Sequence, residues 1–339
     1  MEKPKIIFLD YIRALATLAV ILIHVVGGIL PRFWEIAPGD WWIGNVLDSA
    51  SRFCVPVFVM LSGALLLGPN QSYAWPQHKK RLTRICIPFC FWTLVYILFN
   101  VFVKYPSMQQ KSWNTLVPWI WHQIAFGASF HFWYLYMILG LYLFLPWIHA
   151  AMNQMKKRDI EVFLGIWCLT LIANWPGLAN YFPHIEFMYF SGYLGYLVLG
   201  HYVMQYTVRG PGWWYLIGCG LTMVGTYFLS EAKGAFDIRM YGNLTLPVAM
   251  MALGIFGIFQ KATFSYLWLN KFVSWISQLS FGIYFIHVIV LYYLSRAQVN
   301  YAFHGLEIGI PATTMACLAF SAILIFLLKK LPGADRFIG

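Results

Sequence analysis

An aspartate, an arginine and a histidine, Asp10, Arg13 and His24, interrupt the apolar run FLDYIRALATLAVILIH near the start of a 339-residue chain. These are side chains of acid–base and acyl-transfer chemistry. A neutral imidazole can take a proton from a hydroxyl or become acylated itself, and a guanidinium can guide an anion while a carboxylate orients it. On a helix, the eleven residues from Arg13 to His24 make three turns plus about 20°, placing both on one stripe about 16 Å apart along the axis. Asp10, three residues before Arg13, is within pairing distance of it. An ionisable side chain at bilayer depth costs at least about 2.5 kcal/mol and marks a function by default. The structural alternatives are a dipole-complementing Asp10, an Arg13 that reaches the headgroups and a packed, hydrogen-bonded His24.

Two further constellations repeat the theme. In NVLDSASRFCVPVFVMLSG (45–63), Asp48 and Arg52 form an i,i+4 pair beside Asn45, Ser49 and Ser51. The pair reads either as a structural ion pair or as the wall of a polar cavity that binds substrate at the depth of His24, with Pro56 kinking the helix nearby. In HKKRLTRI (78–85), Lys80, Arg81 and Arg84 place several cations on one helical face. Lysines alone would signal orientation, whereas arginines at a membrane edge suit bidentate phosphate binding. His131 and Trp133 are candidates for sugar contact, against a plain interfacial aromatic belt. Tyr284 and His287, with Ser280 before them, share a helical face and read equally as packing or as part of a substrate site. The remaining histidines (His78, His122, His149, His184, His201 and His304) show no ligand-like grouping, and no metal is expected.

The elements that must position these groups follow from composition. The chain is 60% hydrophobic and only 10% charged, against roughly a quarter charged in soluble domains. The six cysteines lie in apolar stretches without metal-ligand spacing. Crossing roughly 30 Å of hydrocarbon takes about 20 residues, and ten stretches qualify: about 6–30, 43–68, 85–104, 131–149, 160–174, 188–206, 213–230, 244–260, 273–296 and 308–329. The first is too long for a signal peptide and lacks a small-residue cleavage site, so a retained span is expected. The Trp-rich segment 113–127 reads as interfacial or re-entrant.

The formal charge of +11 lies in the short connections, which argues against nucleic acid. With the N-terminus inside, the outer connections hold six Lys or Arg (Arg32, Lys104, Lys111, Lys233, Arg239 and Arg296), two lie within spans (Arg13 and Arg52), and the other fifteen of the 23 fall inside. The positive-inside rule therefore predicts an all-α integral membrane protein of about ten helices with both termini cytoplasmic. A single domain over 1–339 is expected.

The Arg13…His24 spacing with its preceding Leu9-Asp10, VPVFVMLSG (55–63), Arg81-x-x-Arg84, HFWYL (131–135) and SFGIYFIH (280–287) together resemble the acyltransferase-3 family of integral membrane acyltransferases. The resemblance spans most of the chain. It implies a bacterial inner-membrane enzyme that takes an acyl group, usually acetyl, from cytoplasmic acyl-CoA to a hydroxyl of an envelope glycan or lipid-linked sugar. It further implies that Lys80, Arg81 and Arg84, with Arg13, hold acetyl-CoA, and that His24 is the base or an acyl relay. Trp133, Tyr134 and Ser62 are candidate oxyanion donors. Membrane lipid is the surrounding partner, a homo-oligomer is left open, and the chain would act alone or with a partner that completes transfer. The rivals are a secondary transporter of a polar or anionic metabolite and a non-catalytic envelope-assembly protein. Duplicated halves and paired Gly/Pro-broken helices, which would favour the transporter, are not evident in the sequence.

Overall fold

The computed structural model describes residues 6–176 and 187–339, and these residues are helical with no strand among them. The helices are α1 (Ile7–Val26), α2 (Pro38–Ser51), α3 (Cys54–Leu66), α4 (Trp75–Phe99), α5 (Trp113–Phe126), α6 (Trp133–Gln154), α7 (Lys157–Ala173), α8 (Phe187–Gln205), α9 (Pro211–Lys233), α10 (Leu246–Lys261), α11 (Leu267–Arg296), α12 (Leu306–Lys329) and α13 (Asp335–Ile338). His184 lies outside the described residues.

Seven helical segments among the described residues are long and apolar enough to cross a membrane: Ile7–Val26, Pro38–Leu66, Trp75–Lys104, Phe130–Gln154, Arg239–Lys261, Leu267–Arg296 and Leu306–Lys329. The chain is thus an all-α, multi-pass membrane protein. The other three expected spans are present as helices but fall short of that standard. Helix α7 has 17 residues, just under the length a span needs. Helix α8 is interrupted at Gly192. Helix α9 is long enough, but Trp213, Trp214, Tyr215 and its glycines lower its hydropathy.

The expected second span is two helices rather than one. Pro56 has no N–H to give the carbonyl of Arg52, and its ring crowds that carbonyl. The ladder accordingly breaks at Arg52–Phe53 between α2 and α3, so the distortion falls on the ionisable pair itself.

Helix α5 buries none of its side chains, leaving Trp113 and Trp121 outside, and ends at Gly127 with φ +104°. That left-handed stop is one glycine takes at no steric cost. The apolar perimeters of α6, α9 and α12 (Phe144, Phe228 and Phe320) are also exposed, as a surface solvated by lipid requires.

By internal packing the chain forms two compact units, 1–69 with 151–323, and 70–150 with 324–339. In the first, α1 and α11 run in the same direction: Tyr11 and Asp10 meet Asn270, Ser274 and Ser277, while His24 meets His287. One end of this pair carries an aromatic cap of Phe33, Trp41 and Tyr241 around Leu30.

Helices α3 and α8 touch backbone to backbone. A Cβ at Gly63 would stand 1.8 Å from the Leu197 carbonyl oxygen, and one at Gly200 would stand 1.9 Å from that of Met60. Small residues let membrane helices approach this closely. Gly63→Ala is therefore expected to destabilise the protein by about 1–3 kcal/mol, read as a lowered melting temperature in detergent. An unchanged melting temperature would contradict the contact.

In the second unit, α4 and α13 pack together, with Trp92 Nε1 donating to the Ile338 carbonyl at 3.3 Å. Asn100 Nδ2 donates to Gln123 Oε1 and to the Ala128 carbonyl, tying the end of α4 to the α5 turn.

Candidate active site

At the Asp10 end of the α1–α11 seam the two charges meet. Ser274 and Ser277 on α11 donate their hydroxyls to Asp10 Oδ2 and Oδ1, at 2.8 and 2.7 Å. Arg13 Nη1 donates to Ser277 Oγ at 2.9 Å and lies 3.5 Å from Asp10 Oδ1. Ser277 thus bridges the two charges, and both carboxylate oxygens are satisfied, as a buried anion demands. Arg13 points at α11, not along the headgroup plane.

The serine partners were visible as a signal but not singled out. Ser274, Ser277 and Ser280 repeat every three residues and hence share one face. Ser280 donates instead to the Ser277 carbonyl.

Further along the same seam, the rings of His24 and His287 stack with centroids 5.3 Å apart and planes 22° from parallel. Arg13 and His24 therefore both face α11, as their spacing predicts. His287 is fully buried. Its Nδ1 lies 2.7 Å from the Tyr284 carbonyl, which can only accept, so Nδ1 carries a hydrogen, and in the neutral ring the lone pair is on Nε2. Between the two clusters a cavity of about 10 Å³ is lined by Thr17, Phe58, Ser280, Tyr284 and His287, enough for about one water.

His287 and Arg52 both lie within electrostatic reach of His24. Arg52 sits at the α2–α3 break, its Nε donating to Asp48 Oδ1 and its guanidinium 4.2 Å from the centroid of the Tyr241 ring. The Tyr241 hydroxyl donates to Asn45 Oδ1 at 2.6 Å, Ser49 donates to the same oxygen, and Asn45 Nδ2 donates to the Met223 carbonyl. Asp48 is fully buried and its Oδ2 has no hydrogen-bond partner among the described residues. Asp48 and Arg52 thus belong with His24 and His287 in one polar group, and Tyr241 is the member that sequence spacing did not reveal.

The second unit holds the other candidates. Arg81 is engaged within its own unit: Nη1 donates to the Ser72 carbonyl at 2.6 Å, Nη2 to Gln71 Oε1 at 3.0 Å, and the guanidinium lies 4.4 Å from the Tyr73 ring centroid. Burial pushes the Tyr73 hydroxyl up to about 12 despite the nearby cation, so the ring stays neutral under Arg81. Lys80 and Arg84 are exposed, one helical turn apart on α4. His131 is buried against Tyr96 and Phe132, with Nδ1 3.0 Å from Ser129 Oγ, whereas Trp133 is 40% exposed. Of this pair, only Trp133 offers an open surface.

Among the described residues no group of three or more His, Cys, Asp or Glu side chains gathers as a metal site would require. A family model described as an acyltransferase domain matches residues 6–330, across both compact units. No curated protein and no solved structure matches the chain significantly.

Proposed function

The chain belongs to the acyltransferase-3 family of membrane acyltransferases, and on that premise we propose that it is an O-acetyltransferase of the bacterial inner membrane. It moves an acetyl group from cytoplasmic acetyl-CoA to a hydroxyl of an envelope glycan or lipid-linked sugar. The observation that carries this reading is the His24–His287 stack, with Arg52 in reach and the Asp10–Arg13 cluster at the other end of the same helix pair. A neutral His24 takes the proton of the acceptor hydroxyl, or accepts the acetyl group at nitrogen as CoA thiolate departs and then passes it on. Arg52 is the cation available to the developing oxyanion. Asp10 and Ser277 hold Arg13, which guides the donor. The stretch NVLDSASR (45–52) resembles that of the O-acetyltransferase of enterobacterial common antigen, which makes a glycan of that kind the first acceptor to try.

The shared direction of α1 and α11 supports ten crossings with both termini cytoplasmic. Parallel neighbours need an odd number of crossings between them. The other apolar segments between α1 and α11 supply four, and adding α7, α8 and α9 makes seven. The positive-inside bias agrees.

For the donor phosphates, the exposed Lys80 and Arg84 fit best. Arg81, the third cation of the expected donor-binding face, bonds the 71–73 loop and would have to release it to reach a phosphate. Purified protein in detergent is expected to bind acetyl-CoA without vesicles. Arg84→Ala should weaken that binding about tenfold, with an effect that shrinks as salt rises. Absence of acetyl-CoA binding together with metabolite flux into proteoliposomes would establish the transporter instead.

A further inference from the structure

Beyond the His24 end of α1 a surface cleft of about 340 Å³ opens among Ile29, Arg32, Asp40, Tyr301 and Glu307. The volume falls within the roughly 300–1,000 Å³ of small-molecule sites. Ile29 follows His24 by five residues, so the cleft lies at the imidazole end of the seam. Its aromatic wall is fixed. A Cβ on Gly28 would stand 2.9 Å from the Tyr301 ring, and one on Gly309 would stand 2.2 Å from the Tyr301 carbonyl oxygen.

Its charge is unbalanced. The Arg32 guanidinium is bonded to Tyr301 and Glu35, so Glu35 compensates its charge. Asp40 and Glu307 are exposed carboxylates, which only accept hydrogen bonds. Such a lining attracts hydroxyl and ammonium donors and repels a second carboxylate or a phosphate.

We propose that this cleft binds the acceptor sugar, and that Asp40 and Glu307 restrict it to an uncharged or amino-bearing sugar and exclude uronates. The proposal rests on the acetyltransferase reading and adds the chemical class of its acceptor.

The test offers methyl glycosides of N-acetylglucosamine, glucosamine and glucuronic acid to the full chain in detergent with acetyl-CoA, and follows sugar acetylation by mass spectrometry. The first two should be acetylated with kcat/KM at least about tenfold above the glucuronide, as a like-charge penalty of this kind implies. In the Asp40→Asn/Glu307→Gln double variant the gap should close to within about threefold, with the KM for acetyl-CoA unchanged. Both substitutions are near-isosteric and at exposed positions, and each single variant checks that folding is retained. Equal use of the three glycosides by the wild type, or an undiminished gap in the double variant, overturns the cleft's role while acyl transfer stands. Failure of the wild type to acetylate any of them while it still binds acetyl-CoA overturns the proposal for the cleft, and failure to bind acetyl-CoA overturns the enzyme reading with it.

Discussion

Replacing His24 by alanine is expected to lower acetyl transfer by about 10²–10⁴-fold, the range for loss of a positioned general base, while acetyl-CoA still binds. The imidazole lies in the last turn of α1, stacked on His287 and within electrostatic reach of Arg52. Helix α1 does not depend on it for packing, because Ile12, Ala16, Ile21 and Val26 supply its buried face. Circular dichroism and thermal melting of the variant should therefore remain close to the wild type. Mass spectrometry after brief exposure to acetyl-CoA separates the two roles of the residue. An acetyl adduct on His24 identifies a relay, and its absence during turnover identifies a base. If His24→Ala retains transfer, the catalytic assignment of His24 fails.

Asp48→Ala is expected to destabilise the protein by about 3–5 kcal/mol, the cost of leaving a buried charge without its partner. Asp48 is fully buried and the Arg52 side chain is only 18% exposed, so solvent compensates little. Arg52→Ala should cost a similar amount, because it strands the carboxylate. The Asp48→Ala/Arg52→Ala double variant should be more stable than either single variant, since neither charge is then left alone. Chemical denaturation in detergent provides the cycle. Additive losses would show that the pair is not coupled. The double variant is also expected to lose activity despite its recovered stability, because it removes the cation within electrostatic reach of His24. That outcome separates a functional cavity wall from a structural ion pair.

Much of this site was legible in the sequence because helical spacing is a local property. Arg13 and His24 fall on one stripe by arithmetic alone, and the structure turns that stripe toward α11. The identity of the partners was not local. Nothing in α1 says that Asp10 meets Ser274 and Ser277 or that His24 meets His287, although the three-residue serine repeat on α11 hinted at a polar face. Tyr241 lies 196 residues from its partner Asn45, a pairing that spacing cannot reveal.

Two local rules were read too coarsely. Proline acts on the carbonyl four residues earlier, so Pro56 breaks the helix at Arg52. Trp, Tyr and Gly lower the hydropathy of a helix, which is why α9, at 23 residues, falls outside the helices apolar enough to cross a membrane. At Arg81, helical periodicity puts the cations on one face of α4, but it could not show the 71–73 loop folding back onto the guanidinium.

The central claim, that His24 carries an acetyl transfer across the bilayer, is tested most directly in inside-out membrane vesicles. Radiolabelled acetyl-CoA is supplied outside, where the cytoplasmic face now points, and label is followed into glycan enclosed in the lumen. Wild-type protein should label the enclosed glycan with release of free CoA outside, and His24→Ala should do neither. Equal labelling by the His24→Ala protein, or labelled acetyl-CoA entering the lumen intact, would contradict the account.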